Sequence, residues 1–302
     1  ISDGEFVGGG AFPTCVPEPQ REAAEFAIDA GAEMFIARTD LHERTEHGTL
    51  FGLNGINFKA AMDALWENPK PLEDIWDDWI RMRFGKDVVD DLKPVLQSAR
   101  TIIERGILMA GLPLVKGSQL RCETWYAGPP KVKSCYDVFL RLQRPGTPVI
   151  PEDQEVLGPG DFMTWQLDAR AVPIAEVRAD QAEAFERVER ALAKLAELQP
   201  KLTEADHLHL VRAFSSTRLI LRAFEPCLEA VYYANLIEDN YDGVADPTGE
   251  FRQADAAIRE RADTLERKCE TPLVFTDYRH VPVQMRFIAE GLEARVLQPQ
   301  TV

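Results

Sequence analysis

Apolar residues recur at three- and four-residue spacing along most of this chain, and that period predicts helices. Residues Pro17 to Ala30 carry Ala23, Ala24, Phe26 and Ala27 as an apolar face. Pro17 and Pro19 suit the entry of such a helix, and Gly31 suits its end. Leu53 to Trp66 offers Ile56, Ala60, Met62, Ala64 and Leu65 for burial, until Pro69-Lys70-Pro71 breaks the pattern. Leu72 to Phe84 repeats it with Ile75, Trp76, Trp79 and Ile80, capped by Gly85. Val88 to Leu108 is the next helix, with a kink expected at Pro94. Tyr136 to Gln143 reads as a short helix and Ile174 to Leu198 as a long one. After a turn at Pro200, Thr203 is placed to cap a very long pattern, Glu204 to Asn240, through the run Thr203-Glu204-Ala205-Asp206. Pro226 lies inside that pattern and is expected to bend it near Arg222. Pro247 to Cys269 and Pro282 to Ala294 complete the series. Trp66, Trp76 and Trp79 sit at helical spacing and are assigned to the core.

One stretch departs from this rhythm. Met34 to Ala37 is a short apolar segment, read as a strand, and it ends abruptly in Arg38-Thr39-Asp40. Helix, glycine, strand and charged loop in that order make half of a βαβ unit. A buried strand ending in charged residues often places them at the mouth of an α/β barrel or sheet. Only one such unit is visible, so the other strands are expected upstream of Ile1. Leu273 to Phe275 is a second, shorter extended segment. Residues 111–134 break the helical pattern, and Pro145 to Pro173 hold turn signals, Gly158-Pro159-Gly160 among them, that suggest a crossing connection between helical layers.

With 302 residues, 45% of them hydrophobic, the chain is long enough for a sizeable core. Its net charge of −16 disfavours nucleic acid and anionic membranes as partners, since both call for clustered Lys and Arg. No apolar run reaches the length of a membrane span. The chain begins with Ile1, so its N-terminus reads as an excised or processed end, and a signal peptide is not observable. Cys15, Cys122, Cys135, Cys227 and Cys269 are odd in number and scattered. They lack zinc-ligand spacing and point to a reducing compartment, the cytoplasm, with thiols serving as small buried hydrophobes.

The candidate chemistry begins with Glu5 and Asp40. Glycoside hydrolysis needs two carboxyl groups across the scissile bond, one neutral as acid and one ionised as base or nucleophile. The plainer alternative is a turn-capping Asp40 and a solvated Glu5. Arg38 can clamp a substrate carboxylate by paired hydrogen bonds, or form a salt bridge with Asp40. His42 joins them as a candidate binding residue. It and His47 are separated by Glu43-Arg44-Thr45-Glu46, which is not a zinc-helix spacing. Asn54 and Asn57 start a helix, where one can meet a sugar hydroxyl or Asn54 can act as N-cap. Trp125 and Tyr126 can stack on a sugar ring or anchor their loop. His207 and His209, two apart on a helix, cannot share a metal. The pairs Asp77-Asp78 and Asp90-Asp91 read as solvated helix faces without calcium-loop spacing. Gly8-Gly9-Gly10 lacks the surroundings of a phosphate loop.

Three groups of residues carry a resemblance to a known family. They are Phe35-Ile36-Ala37-Arg38-Thr39-Asp40, then Gly52-Leu53-Asn54-Gly55-Ile56-Asn57, and finally Ile75-Trp76-Asp77-Asp78-Trp79 with Arg83-Phe84-Gly85. Together they resemble bacterial α-glucuronidase-like glycoside hydrolases, at the place where the last strand of a (β/α)8 barrel passes into a C-terminal helical domain. The likeness covers roughly the first third of the chain. It implies a mainly α fold, a helical bundle or array preceded by a βα remnant of the barrel. Residues 1–48 would be that last βα unit and residues 49–302 the helical domain. It also implies a carbohydrate substrate, an upstream barrel as partner, and no cofactor. The helical domain would buttress the barrel, wall the cleft, or form a homodimer interface. It places no family catalytic carboxylate on a numbered residue here, so Glu5 and Asp40 rest on their own chemistry. The rival expectation is a non-catalytic helical scaffold or oligomerisation module.

Overall fold

The computed structural model describes residues 13–34, 52–109, 112–113, 173–238, 240, 242–268 and 281–297. Helix accounts for 84% of them, so the class is mainly α. In chain order the helices are α1 (Pro17–Asp29), α2 (Gly55–Ala64), α3 (Leu72–Phe84), α4 (Val89–Gly106), α5 (Ile174–Leu198), α6 (Glu204–Glu238), α7 (Pro247–Lys268) and α8 (Val281–Leu297). A two-residue antiparallel ladder, Leu108–Met109 with Leu112–Pro113, follows α4. By proximity the chain falls into two compact units. The first comprises Ile1–Ile103 with Glu186–Thr217, and the second Glu104–Phe185 with Arg218–Val302.

In the first unit, α1 ends at Gly31, whose φ of +83° only glycine adopts without strain. α3 ends at Gly85 with φ +99° and ψ 162°, a region closed to side-chain-bearing residues. Ile75, Trp76, Trp79, Ile80 and Phe84 form the buried stripe of α3. Trp79 meets Trp76 edge-on at 6.4 Å and Phe84 at 5.8 Å, the arrangement that ring quadrupoles favour. Arg83 lies over the Phe84 ring at 4.9 Å and reaches Asp206 of α6 at 2.5 Å. Thr203 caps α6 as its sequence predicts, its hydroxyl accepting the Asp206 N–H at 3.1 Å. Asp91 is held between Lys194 (3.0 Å) and Lys201 (2.7 Å), and Asp78 between Lys70 (2.7 Å) and Arg81 (2.8 Å). Those acids are therefore paired rather than merely solvated. Trp66 is a correction: it is 73% exposed. It lies beyond the last turn of α2, where the chain has left the helical path that would carry its ring inward.

In the second unit, α6 is buried nearly all round, with Leu219, Ile220, Leu221, Ala223, Phe224, Leu228, Val231 and Tyr232 in the interior. It runs unbroken through Pro226, which has no N–H to offer the Arg222 carbonyl. Arg261 of α7 supplies a donor instead, its Nη1 standing 3.4 Å from that carbonyl. α7 buries Phe251, Ala254, Ile258, Ala262 and Leu265, and α8 buries Val281, Met285, Ile288, Ala289 and Leu292, each a single helical stripe. Arg286 ties the two with Asp263 and Glu266, both at 2.7 Å. Gly106 closes α4, and a Cβ there would stand 2.9 Å from that of Ala184 and collide with Leu221.

Of the expected strand, only Met34 is described; it is extended from the surface, 78% exposed, in no regular element. Residues 35–37, the helix at 136–143, the turns of 145–172 and the segment 273–275 lie outside the described residues. Among the described residues, no helix is long and apolar enough to cross a membrane.

Candidate functional site

Glu5, Arg38, Asp40, His42, Trp125 and Tyr126 all lie outside the described residues, whereas Asn54 does not. Asn54 occupies the N-cap position of α2, yet its side chain makes no capping bond. It is turned instead toward the segment that enters α1. Its Oδ1 accepts the Thr14 N–H at 2.6 Å, and its Nδ2 donates to the Thr14 hydroxyl at 3.4 Å. Asn57, one turn on, completes the pair. Its Oδ1 accepts the Val16 N–H at 2.8 Å and its Nδ2 donates to the Thr14 carbonyl at 2.6 Å. Between them the Cys15 thiol donates to the Leu53 carbonyl at 3.4 Å. Asn54, Asn57 and Cys15 are each only 1% exposed.

This latch has a clear physical origin. The chain entering α1 has backbone groups that no helix satisfies, and in a buried place they need partners. An amide side chain both donates and accepts, so it can mimic the edge of a strand. Asn54 and Asn57 stand three apart, which sets both amides on one side of the α2 N-terminus. Further along, Ala24 of α1 packs on Ala61 and Ala64 of α2, with Leu65 against the same cluster. Small side chains there let the two backbones approach closely. The N-termini adjoin and the middles adjoin, so α1 and α2 run parallel.

The second unit gathers two polar groups of another kind. Arg178 of α5 grips Glu229 of α6 through two bonds of 2.8 and 3.0 Å. That pairing holds the guanidinium firmly protonated. Tyr233 stands beside it, and burial pushes its phenol up, with Glu229 and Glu250 adding to the rise. On α7, burial raises the Asp255 carboxyl, which Arg259 partly offsets through a bond of 3.1 Å. Arg259 also reaches Glu293 of α8 at 2.8 Å. Burial likewise pushes the Cys227 thiol up, so it is a packed, unreactive group. Both groups are cross-braces between helices. Among the described residues no set of three or more His, Cys, Asp or Glu side chains is arranged to hold a metal ion.

Sequence reading singled out Asn54 and Asn57 but gave them a ligand or a cap to meet. Thr14 and Val16 carried no signal of their own, because they act mainly through backbone groups that every residue has. Compared with protein-family models, with curated proteins and with solved structures, the chain matches none.

Proposed function

We propose that this chain is the C-terminal part of a carbohydrate-active glycoside hydrolase of the α-glucuronidase-like kind. Residues 1–48 would supply the last βα unit of its barrel and residues 49–302 a helical domain. The parallel pairing of α1 and α2 is the observation that carries this reading. Helices joined by a short loop lie antiparallel; parallel neighbours need a return path. α1 ends at Asp29 and α2 starts at Gly55, and the chain between them must travel back along the helix. Thirteen helical residues span about 20 Å, a distance that roughly six extended residues cover. A strand just beyond Met34, which itself lies exposed and outside any regular element, would run along that path.

In such a unit the strand's carboxyl end leads into the N-terminus of the next helix, and that end bears the chemistry. On this reading Glu5, which precedes α1 in the chain, and Asp40, which precedes α2, would both stand at the end where Thr14 meets Asn54. Asp40 and Glu5 are the proposed acid/base pair, Arg38 the clamp on a substrate carboxylate, His42 a further polar contact, and Trp125 with Tyr126 a stacking platform. The test is the full-length protein assayed against uronosyl-substituted oligosaccharides and aryl glycosides. Release of sugar is expected, with Asp40→Asn lowering it about 1,000-fold while leaving the fold intact. Release from none of them, or turnover untouched by Asp40→Asn, overturns the reading. The alternative, a non-catalytic helical scaffold, draws on the largely exposed rings of Phe26 and Trp66 in the first unit. It expects self-association without turnover in the same preparations.

A further inference from the structure

We propose that the outer face of α1, together with the turn that follows α2, is a docking surface for an arginine-bearing segment of a partner protein. Glu22, Phe26 and Asp29 stand four and three residues apart, so they share one face of α1, with a ring between two carboxylates. All three are exposed, Phe26 to 74%. The end of α2 adds the neighbouring part. Ala24 packs on Ala61 and Ala64, so Phe26 and Trp66, each two residues further on, both stand about 3 Å past that contact along parallel helices. Beyond Trp66 the chain turns back to α1, where Arg21 donates to the Lys70 carbonyl at 2.6 Å. Trp66 is 73% exposed, and the exposed Glu67 follows it. The two rings present roughly 300 Å² of apolar surface, the scale at which an open patch marks an interaction site.

The carboxylates decide the partner. Glu25 of α1 is paired with Arg21, and Glu18 with Arg100. Glu22, Asp29 and Glu67 pair with no Lys or Arg among the described residues, and the nearby Lys70 is held by Asp78. α1 has no basic residue in its last turn, and Asp29 ends it, where the helix dipole disfavours an acid and welcomes an incoming cation. A second copy meeting through the same face would set these acids against their own kind, and nucleic acid and anionic membranes are repelled as well. A guanidinium meets both demands at once. Its flat side stacks on an aromatic ring, indole best of all, while its edge pairs with a carboxylate. A lysine ammonium pairs with the carboxylate but keeps its water more firmly and has no plane to stack. The surface lies at the C-terminal ends of α1 and α2, away from Thr14 and Asn54, and does not depend on the hydrolase reading.

The experiment uses the full-length protein and short fluorescein-labelled peptides in which Leu alternates with Arg, Lys or Glu, followed by fluorescence anisotropy. Saturable binding of the Arg peptide is expected, roughly threefold weaker with Lys and absent with Glu. Phe26→Ser and Trp66→Ser should each weaken it roughly tenfold, and Asp29→Asn roughly threefold. Glu260→Gln, at an exposed acid of α7, should leave it unchanged. Trp66 adds a direct reading: the emission lost in Trp66→Ser should shift to the blue when the Arg peptide binds. Both rings are exposed, so the variants should keep the unfolding midpoint, and either decides alone if the other does not fold. No binding of the Arg peptide, or binding that survives both ring variants, overturns the proposal. So does equal weakening by Glu260→Gln and Asp29→Asn, which would reduce the effect to net charge. A dimer of the unmutated protein that Phe26→Ser dissolves would make this face a contact between copies, and that result overturns it too.

Discussion

The α1–α2 contact of the first unit and the packing around α6 in the second join helices by different means. In the first, α1 and α2 meet through alanines and a knot of buried amides, with little large apolar surface between them. In the second, α6 lies deep among Phe, Leu, Ile and Tyr side chains, and arginine–carboxylate pairs brace it to α5 and α7. Apolar packing is strong but has no direction. Hydrogen bonds contribute less net stability, yet they specify which atoms face each other. The contrast teaches that the α1–α2 contact favours register where the packing around α6 favours bulk stability.

The largest effect should come from the interior of the second unit. Phe224→Ala removes a fully buried ring and is expected to cost about 3–5 kcal/mol in urea denaturation. A loss under 1 kcal/mol would show that the site collapses freely and that the contrast is overstated. Asn57→Leu comes next. It keeps the volume but strands the Val16 N–H and the Thr14 carbonyl, for roughly 2–3 kcal/mol. Its signature is directional: amide exchange at Val16 should rise while the exchange of α7 and α8 stays unchanged. Gly106→Ala, which drives a methyl into Ala184 and Leu221, is expected to cost about 1–3 kcal/mol.

The smallest effect is on pH dependence, and it should differ in sign. The Asp78 carboxyl is held low first by its hydrogen bond to Lys70, and that of Asp91 by its hydrogen bonds to Lys201 and Lys194. Their support is present above the unfolded carboxylate value and is lost as pH falls through the lower folded value. Burial raises Asp255, so its ionised form is the one that folding disfavours. Its contribution is best below the unfolded value and declines as pH rises through the folded one. Protection from hydrogen exchange at pH 7 and pH 2 should thus show the middle of α3 around Asp78 and the start of α4 around Asp91 loosening in acid, with α7 near Asp255 spared. Asp255→Asn should remove that difference for α7; loosening of both regions alike would refute the assignment.

Much of the helical frame is legible in the sequence, because period, proline and glycine act locally. Leu72 to Phe84 and Ile174 to Leu198 are read to the residue, since Gly85 and Pro200 fix their ends by backbone geometry. Trp66 is misread for the opposite reason: a helical count continues past the turn where the helix has already stopped. Asn54 and Asn57 are visible as polar residues at a helix start, but their partners are forty residues away, and periodicity carries no information about such pairings. The parallel setting of α1 and α2 belongs to the same class of facts.

The proline within α6 has one more implication. By handing the Arg222 carbonyl to a guanidinium, the chain has made one backbone group of α6 depend on the docking of α7. Anything that draws Arg261 away, whether a competing anion or the peeling back of α7, takes that donor from the oxygen. The long helix then has reason to hinge at Pro226, so a disturbance begun at the surface can be felt along its axis.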